Sequence, residues 1–65
     1  MPSTVIKNFS YDPVTAKLTV TFLSGNVYAY NNVHEKTYQS LKRAGSKGRY
    51  FNKFIRDAFE FEHLE

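Results

Sequence analysis

The residues best equipped for chemistry in this chain are its cations. Lys36, Lys42, Arg43, Lys47, Arg49, Lys53 and Arg56 fall within one segment that contains no carboxylate. Basic side chains at that density set up a local field that draws polyanions, phosphate above all. The densest part, "SKGRYFNKFIR" (Ser46 to Arg56), combines cations with the rings of Tyr50, Phe51 and Phe54. Within it, "SKGR" is the best single anion site. Ser46 suits a helix cap, and the first N–H groups of a helix favour negative charge. Gly48 admits an anion close to the backbone, with Lys47 and Arg49 on either side. The plainer reading is a solvated basic face with a routine serine cap. Asn52, beside the cations, can reach a base edge or a ribose, or satisfy a neighbouring backbone group instead.

Other chemistry finds little material. The chain has no cysteine, so it offers no thiol nucleophile, disulfide or Cys-based metal site. His34 and His63 are far apart in sequence, and the usual His/Cys clustering of a metal site is missing. Ser46 and Lys47 are consecutive, so on a helix they point in different directions and make no Ser–Lys dyad. Glu60 and Glu62 can share a face of an extended tail, but two exposed carboxylates do not make an acid–base pair. The phosphate-binding pattern GxxxxGK[ST] is absent. The expectation is a binding module that needs neither catalysis nor a cofactor.

The cations must be held by a very small protein. At 65 residues the chain forms one domain near the lower limit for folding alone. Large aliphatic residues are few, so the core needs most of the six Phe and five Tyr. That weighs on Tyr28 and Tyr30. They could stack on unpaired bases, as exposed rings on a sheet do, yet closing the core with hydroxyls at its rim is the stronger expectation. The net charge of +3 hides an asymmetry: the segment from Lys36 to Arg56 is +7, and the remainder is −4. No apolar run approaches a membrane span, and no secretory signal opens the chain. Absent cysteine fits a reducing, cytoplasmic compartment. Residues 1–63 are read as the domain, and Leu64-Glu65 are set aside as resembling an expression scar.

The positioning elements follow from periodicity and turn chemistry. Val5 to Tyr11 reads as a strand, and "DPVTAK" as a turn in which the Asp12 carboxylate bonds the backbone. "KLTVTFL" alternates, with Leu18, Val20 and Phe22 on one face. "LSGN" signals a hairpin. A three-residue loop, Leu23-Ser24-Gly25, with Gly25 left-handed, sets Val20 against Tyr28 and Leu18 against Tyr30. A two-residue loop would turn both tyrosines to the other face. Val27 to Tyr30 is the returning strand. A first helix should begin near Asn32 or Val33, capped by Asn32, with Tyr38, Leu41 and Ala44 inward, and stop at Gly45. A second, capped by Ser46, turns Tyr50, Phe51, Phe54 and Ile55 inward over an arc of about 140°. Arg49, Lys53 and Arg56 gather on its opposite side. In "FEFEH", Phe59 and Phe61 share one side of a short edge strand or extended arm.

The chain resembles the KTSC domain, a module of the C-terminus of some lysyl-tRNA synthetases and also a stand-alone small bacterial or phage protein. The resemblance rests on "SYDP", "LTVTF", "SG", the central Tyr28-Ala29-Tyr30, Val33 and "SKGRYFNKFIR", and covers nearly the whole chain. His34 stands where the family usually has proline, a residue suited to the first turn of a helix. The resemblance implies RNA binding only through its synthetase context.

Together these readings predict an α+β domain, a three-stranded antiparallel β-meander packed against a two-helix hairpin, with room for a short C-terminal strand. The expected partner is RNA or single-stranded nucleic acid, held through phosphates by a monomer with no membrane contact. The rival is a protein partner or self-association on an exposed sheet face carrying Leu23, Val27 and Ala29.

Overall fold

The alternating segment becomes strand β2 (Lys17–Phe22), second in an antiparallel sheet of order β1-β2-β3-β4. The computed structural model describes residues 5–64; Glu65, set aside above with Leu64, lies outside them. β1 is Ile6–Asp12, β3 is Val27–Tyr30 and β4 is Phe61–His63. Helix α1 (Glu35–Arg43) and helix α2 (Lys47–Tyr50), which continues as a π-helical turn (Phe51–Ile55), lie in the chain between β3 and β4. The "FEFEH" tail is thus a fourth strand. It pairs Phe61 with Tyr30 and His63 with Tyr28.

Register in the central hairpin follows from its turn. The Gly25 N–H donates to the Phe22 carbonyl (2.9 Å), and the Phe22 N–H donates to the Asn26 carbonyl (2.9 Å). That closes the three-residue loop, and Gly25 takes φ +98°, which a Cβ would resist. Leu18 therefore faces Tyr30 and Val20 faces Tyr28. On the other side of β2, the register slips between Ile6 and Asn8. This bulge at Lys7 lets Ile6 and Phe9, three residues apart, both turn toward the core with Tyr11. The Asp12 carboxylate accepts from the Val14 N–H at 3.0 Å, as the turn requires.

The expected helix start moves, for a long-range reason. Val33 is fully buried, its N–H donates to the Ala16 carbonyl (2.8 Å), and its own carbonyl accepts from the Tyr11 hydroxyl (2.7 Å). Val33 stays outside the helix, whose first bonds run from the Thr37 and Tyr38 N–H groups to the His34 carbonyl. Asn32 does not cap α1 but makes the preceding left-handed corner (φ 57°). His34 is the N-cap, without a side-chain cap bond, at φ −66°. That is the angle a proline ring enforces, so histidine and proline both suit this corner. α1 ends at Arg43 because Ala44 turns extended (φ −64°, ψ 137°). Gly45 follows the stop without supplying a left-handed cap.

The core joins both layers. Leu18, Val20, Phe22 and Tyr30 from the sheet meet Val33, Leu41 of α1, and Phe51 and Ile55 of the π turn. Phe51 packs edge-on against Phe22 and Tyr30, both with ring centres 5.2 Å apart. Tyr38 stacks on Tyr11 (4.7 Å, 13°) and fixes α1 over the β1 side of the sheet. Such ring pairs add about 0.5–1.5 kcal/mol each beyond area burial, which matters for a core this thin.

Candidate nucleic-acid interface

Helix α2 begins as the sequence suggests. Ser46 is its N-cap, and its hydroxyl accepts the Arg49 N–H at 3.3 Å. Together with Gly45, the four "SKGR" residues line an open cleft of about 330 Å³ against Val5 and Ile6 of the opposite layer. Lys47 leans back, its ammonium donating to the Ala44 carbonyl at 3.5 Å. Arg49 remains exposed at the mouth.

Beyond Tyr50 the helix widens. The Arg56 N–H donates to the Phe51 carbonyl (2.9 Å), an i to i+5 bond. A π turn holds more residues than the 3.6 of an α-helical turn, so the wheel used to place the rings no longer applies. Phe51 and Ile55 both reach the core. Phe54 does not: it is 50% exposed, against 2% for Phe51. This corrects the inward placement of Phe54. Its ring leans on Tyr50 (4.7 Å, 38°), and the Lys53 ammonium sits 5.5 Å from its centre. Sequence reasoning missed this outward ring. The available signal was the 140° arc itself, wider than one small sheet face needs when Phe51 and Ile55 already fill it.

The other cations are exposed and largely without anionic partners. Lys36, Lys42, Arg43, Lys53 and Arg56 are all exposed. Lys42 lies 5.6 Å from the Tyr38 ring, and Arg56 donates to the Asn52 side-chain carbonyl at 2.8 Å. Asn52 and Arg56 therefore act as one i, i+4 pair, and Arg56 does not pair with Asp57. The salt bridge found among the described residues is Lys17–Glu62 at 3.9 Å, outside the basic segment. Among the described residues, Asp57, Glu60 and Glu62 form no salt bridge with those cations.

Tyr28 and Tyr30 separate. Tyr30 is 3% exposed and belongs to the core, so it is not a stacking surface. Burial raises its phenol pKa, helped by neighbouring Tyr28 and by Asp57, while Arg56 acts in the opposite direction. Tyr28 is half-buried, edge-on to Phe22 and stacked on His63 (4.5 Å, 17°). The outer sheet face also needs correction. Ala29 is 1% exposed, between the strands that carry Lys17 and Glu62, so it offers no docking surface. Leu23 is 65% exposed, and its N–H donates to the Val5 carbonyl; across the same end Leu64 donates to Val27. By register Leu64 lies beside Val27, which faces Thr21, and Leu23 lies beside Val5 nearer the turn, so two apolar pairs sit at one end of the sheet.

The fold defines a small α+β module, four antiparallel strands in one sheet with two helices between the third and the fourth. Among the described residues there is no His, Cys, Asp or Glu group suited to a metal, and no helix long and apolar enough to cross a membrane. The chain belongs to the KTSC domain family, whose model matches residues 2–59. It is 50% identical over 60 residues to a lysine–tRNA ligase of Nostoc punctiforme, covering 92% of this chain and 11% of that protein. The chain thus spans about a tenth of the length of that relative, as a small module rather than its catalytic part. An uncharacterized protein of Stutzerimonas stutzeri is 36% identical over 56 residues, with 86% of this chain and 79% of that protein covered. The crystal structure of a KTSC domain protein from Yersinia pestis superposes with a TM-score of 0.88 at 32% identity, covering 100% of this chain and 92% of that one.

Proposed function

We propose that this domain is a non-catalytic module that binds RNA, or single-stranded nucleic acid generally, through backbone phosphates on its helical face. The observation that carries the reading is the seven-cation segment from Lys36 to Arg56, which contains no carboxylate and whose described side chains form no salt bridge. Arg49, at the mouth of the "SKGR" cleft, and Lys53, one turn on, are its centre; Ser46 and Gly48 shape the cleft. The relatives add context, since a lysine–tRNA ligase is by name a protein that acts on an RNA. Contacts of this type position a strand without specifying its sequence. Affinity is weak and salt-sensitive.

A titration of labelled single-stranded RNA at several salt concentrations tests this. Three or four neutralised phosphates give a slope of log K against log salt of about −2 to −3. An Arg49→Ala/Lys53→Ala double variant flattens it by roughly 1 to 1.5. Absent or salt-insensitive binding overturns the proposal.

A second reading has its own observation, the exposed Val5, Leu23 and Leu64 at the Val27 end of the sheet. A protein partner or a second copy would cover it. A mass that rises with concentration, and falls back in Leu23→Glu, favours this reading.

A further inference from the structure

The π turn does more than lengthen a helix: it leaves one ring outside the core and beside a cation. Phe54 is half exposed in a protein short of apolar residues for its interior. Tyr50 supports the ring from one turn earlier at 4.7 Å, and Lys53 places an ammonium 5.5 Å from its centre. Arg49 stands one turn before Lys53. A ring buttressed by a second ring, with one ammonium beside it, matches what an unpaired nucleotide requires: a flat apolar surface for the base and a cation for the adjoining phosphate. A duplex keeps its bases stacked inside and offers nothing to such a ring.

We infer that Phe54 is a base-stacking platform, that the ligand of the basic face is an unpaired strand, and that Phe54, not Tyr28 or Tyr30, receives the base. The inference rests on the phosphate-binding reading above and deepens it. The Lys53–Phe54 contact is weak at an exposed site, so a base displaces the ammonium from the ring, and the ammonium turns to the flanking phosphate. Stacking tolerates any base, so it adds affinity for unpaired RNA without a sequence code.

The test uses an RNA oligonucleotide carrying one 2-aminopurine, whose emission falls when it stacks, and a duplex of the same sequence. The proteins are the wild type, Phe54→Leu and Phe54→Tyr, each checked by circular dichroism and thermal melting. Phe54→Leu keeps apolar bulk without a ring. The expected result is a 5- to 150-fold (about) loss of single-strand affinity in Phe54→Leu, with an unchanged salt slope. Phe54→Tyr keeps the affinity, the emission drop disappears only in Phe54→Leu, and duplex binding is equal in all three. Salt-dependent single-strand binding that is equally tight in Phe54→Leu, or an emission drop that persists there, overturns the platform and leaves phosphate binding standing. No binding by the wild type overturns both.

Discussion

Phe51 and Phe54 stand three residues apart on one helix and meet opposite surroundings. Phe51 is buried, 2% exposed, against Phe22 and Tyr30; Phe54 is half exposed beside Tyr50 and Lys53. In a regular α-helix they would share a face. The i to i+5 bond between Arg56 and Phe51 separates them. Identical side chains thus divide into one that holds the domain together and one that is free to meet a ligand. The backbone makes that division.

The sharpest way to break this comparison is to truncate each ring. Phe51→Ala should lose about 3–5 kcal/mol, enough to leave so small a domain largely unfolded at room temperature. Phe54→Ala should change stability by under about 1 kcal/mol, visible as a nearly unchanged urea midpoint. Similar losses at both positions would erase the distinction. A smaller effect sharpens the core side of it. Tyr30 has its pKa raised, chiefly by burial, so the folded protein holds the phenol proton more tightly than the unfolded chain does. Its contribution is complete below the ordinary tyrosine pKa of about 10, and is lost as pH rises through the folded value. Denaturation of wild type should therefore steepen above about pH 10, and Tyr30→Phe should flatten that limb. An unchanged limb would mean that Tyr30 does not set it.

What the sequence made legible divides by distance along the chain. The hairpin register of Leu18–Tyr30 and Val20–Tyr28 was readable because Gly25 and the alternation of β2 are local signals that agree. The Ser46 cap was readable for the same reason. The start of α1 was not, since it depends on Val33 bonding Ala16 and Tyr11, far back in the chain. β4 was half legible: its alternation was visible, but its pairing with β3 is a contact across both helices, about thirty residues along the chain. For the site, the clustering of the cations between Lys36 and Arg56 was read directly from the sequence. The outward turn of Phe54 was not, because helical periodicity presumes 3.6 residues per turn, and here that premise fails.

The placement of both helices between β3 and β4 sets an order of assembly. β1, β2 and β3 are joined by short turns and can pair as soon as they meet. β4 has to close a loop of roughly thirty residues to reach Tyr30, a larger entropic cost than either hairpin carries. Its hold is brief: three paired residues, the Asn31 N–H on the Glu60 carbonyl (2.8 Å), and the Leu64 N–H on the Val27 carbonyl (2.7 Å). The last strand to dock is the first to detach, so in hydrogen exchange the Leu64 and Asn31 amides should open well ahead of Val20. Uniform protection across all four strands would mean that the sheet opens as one piece.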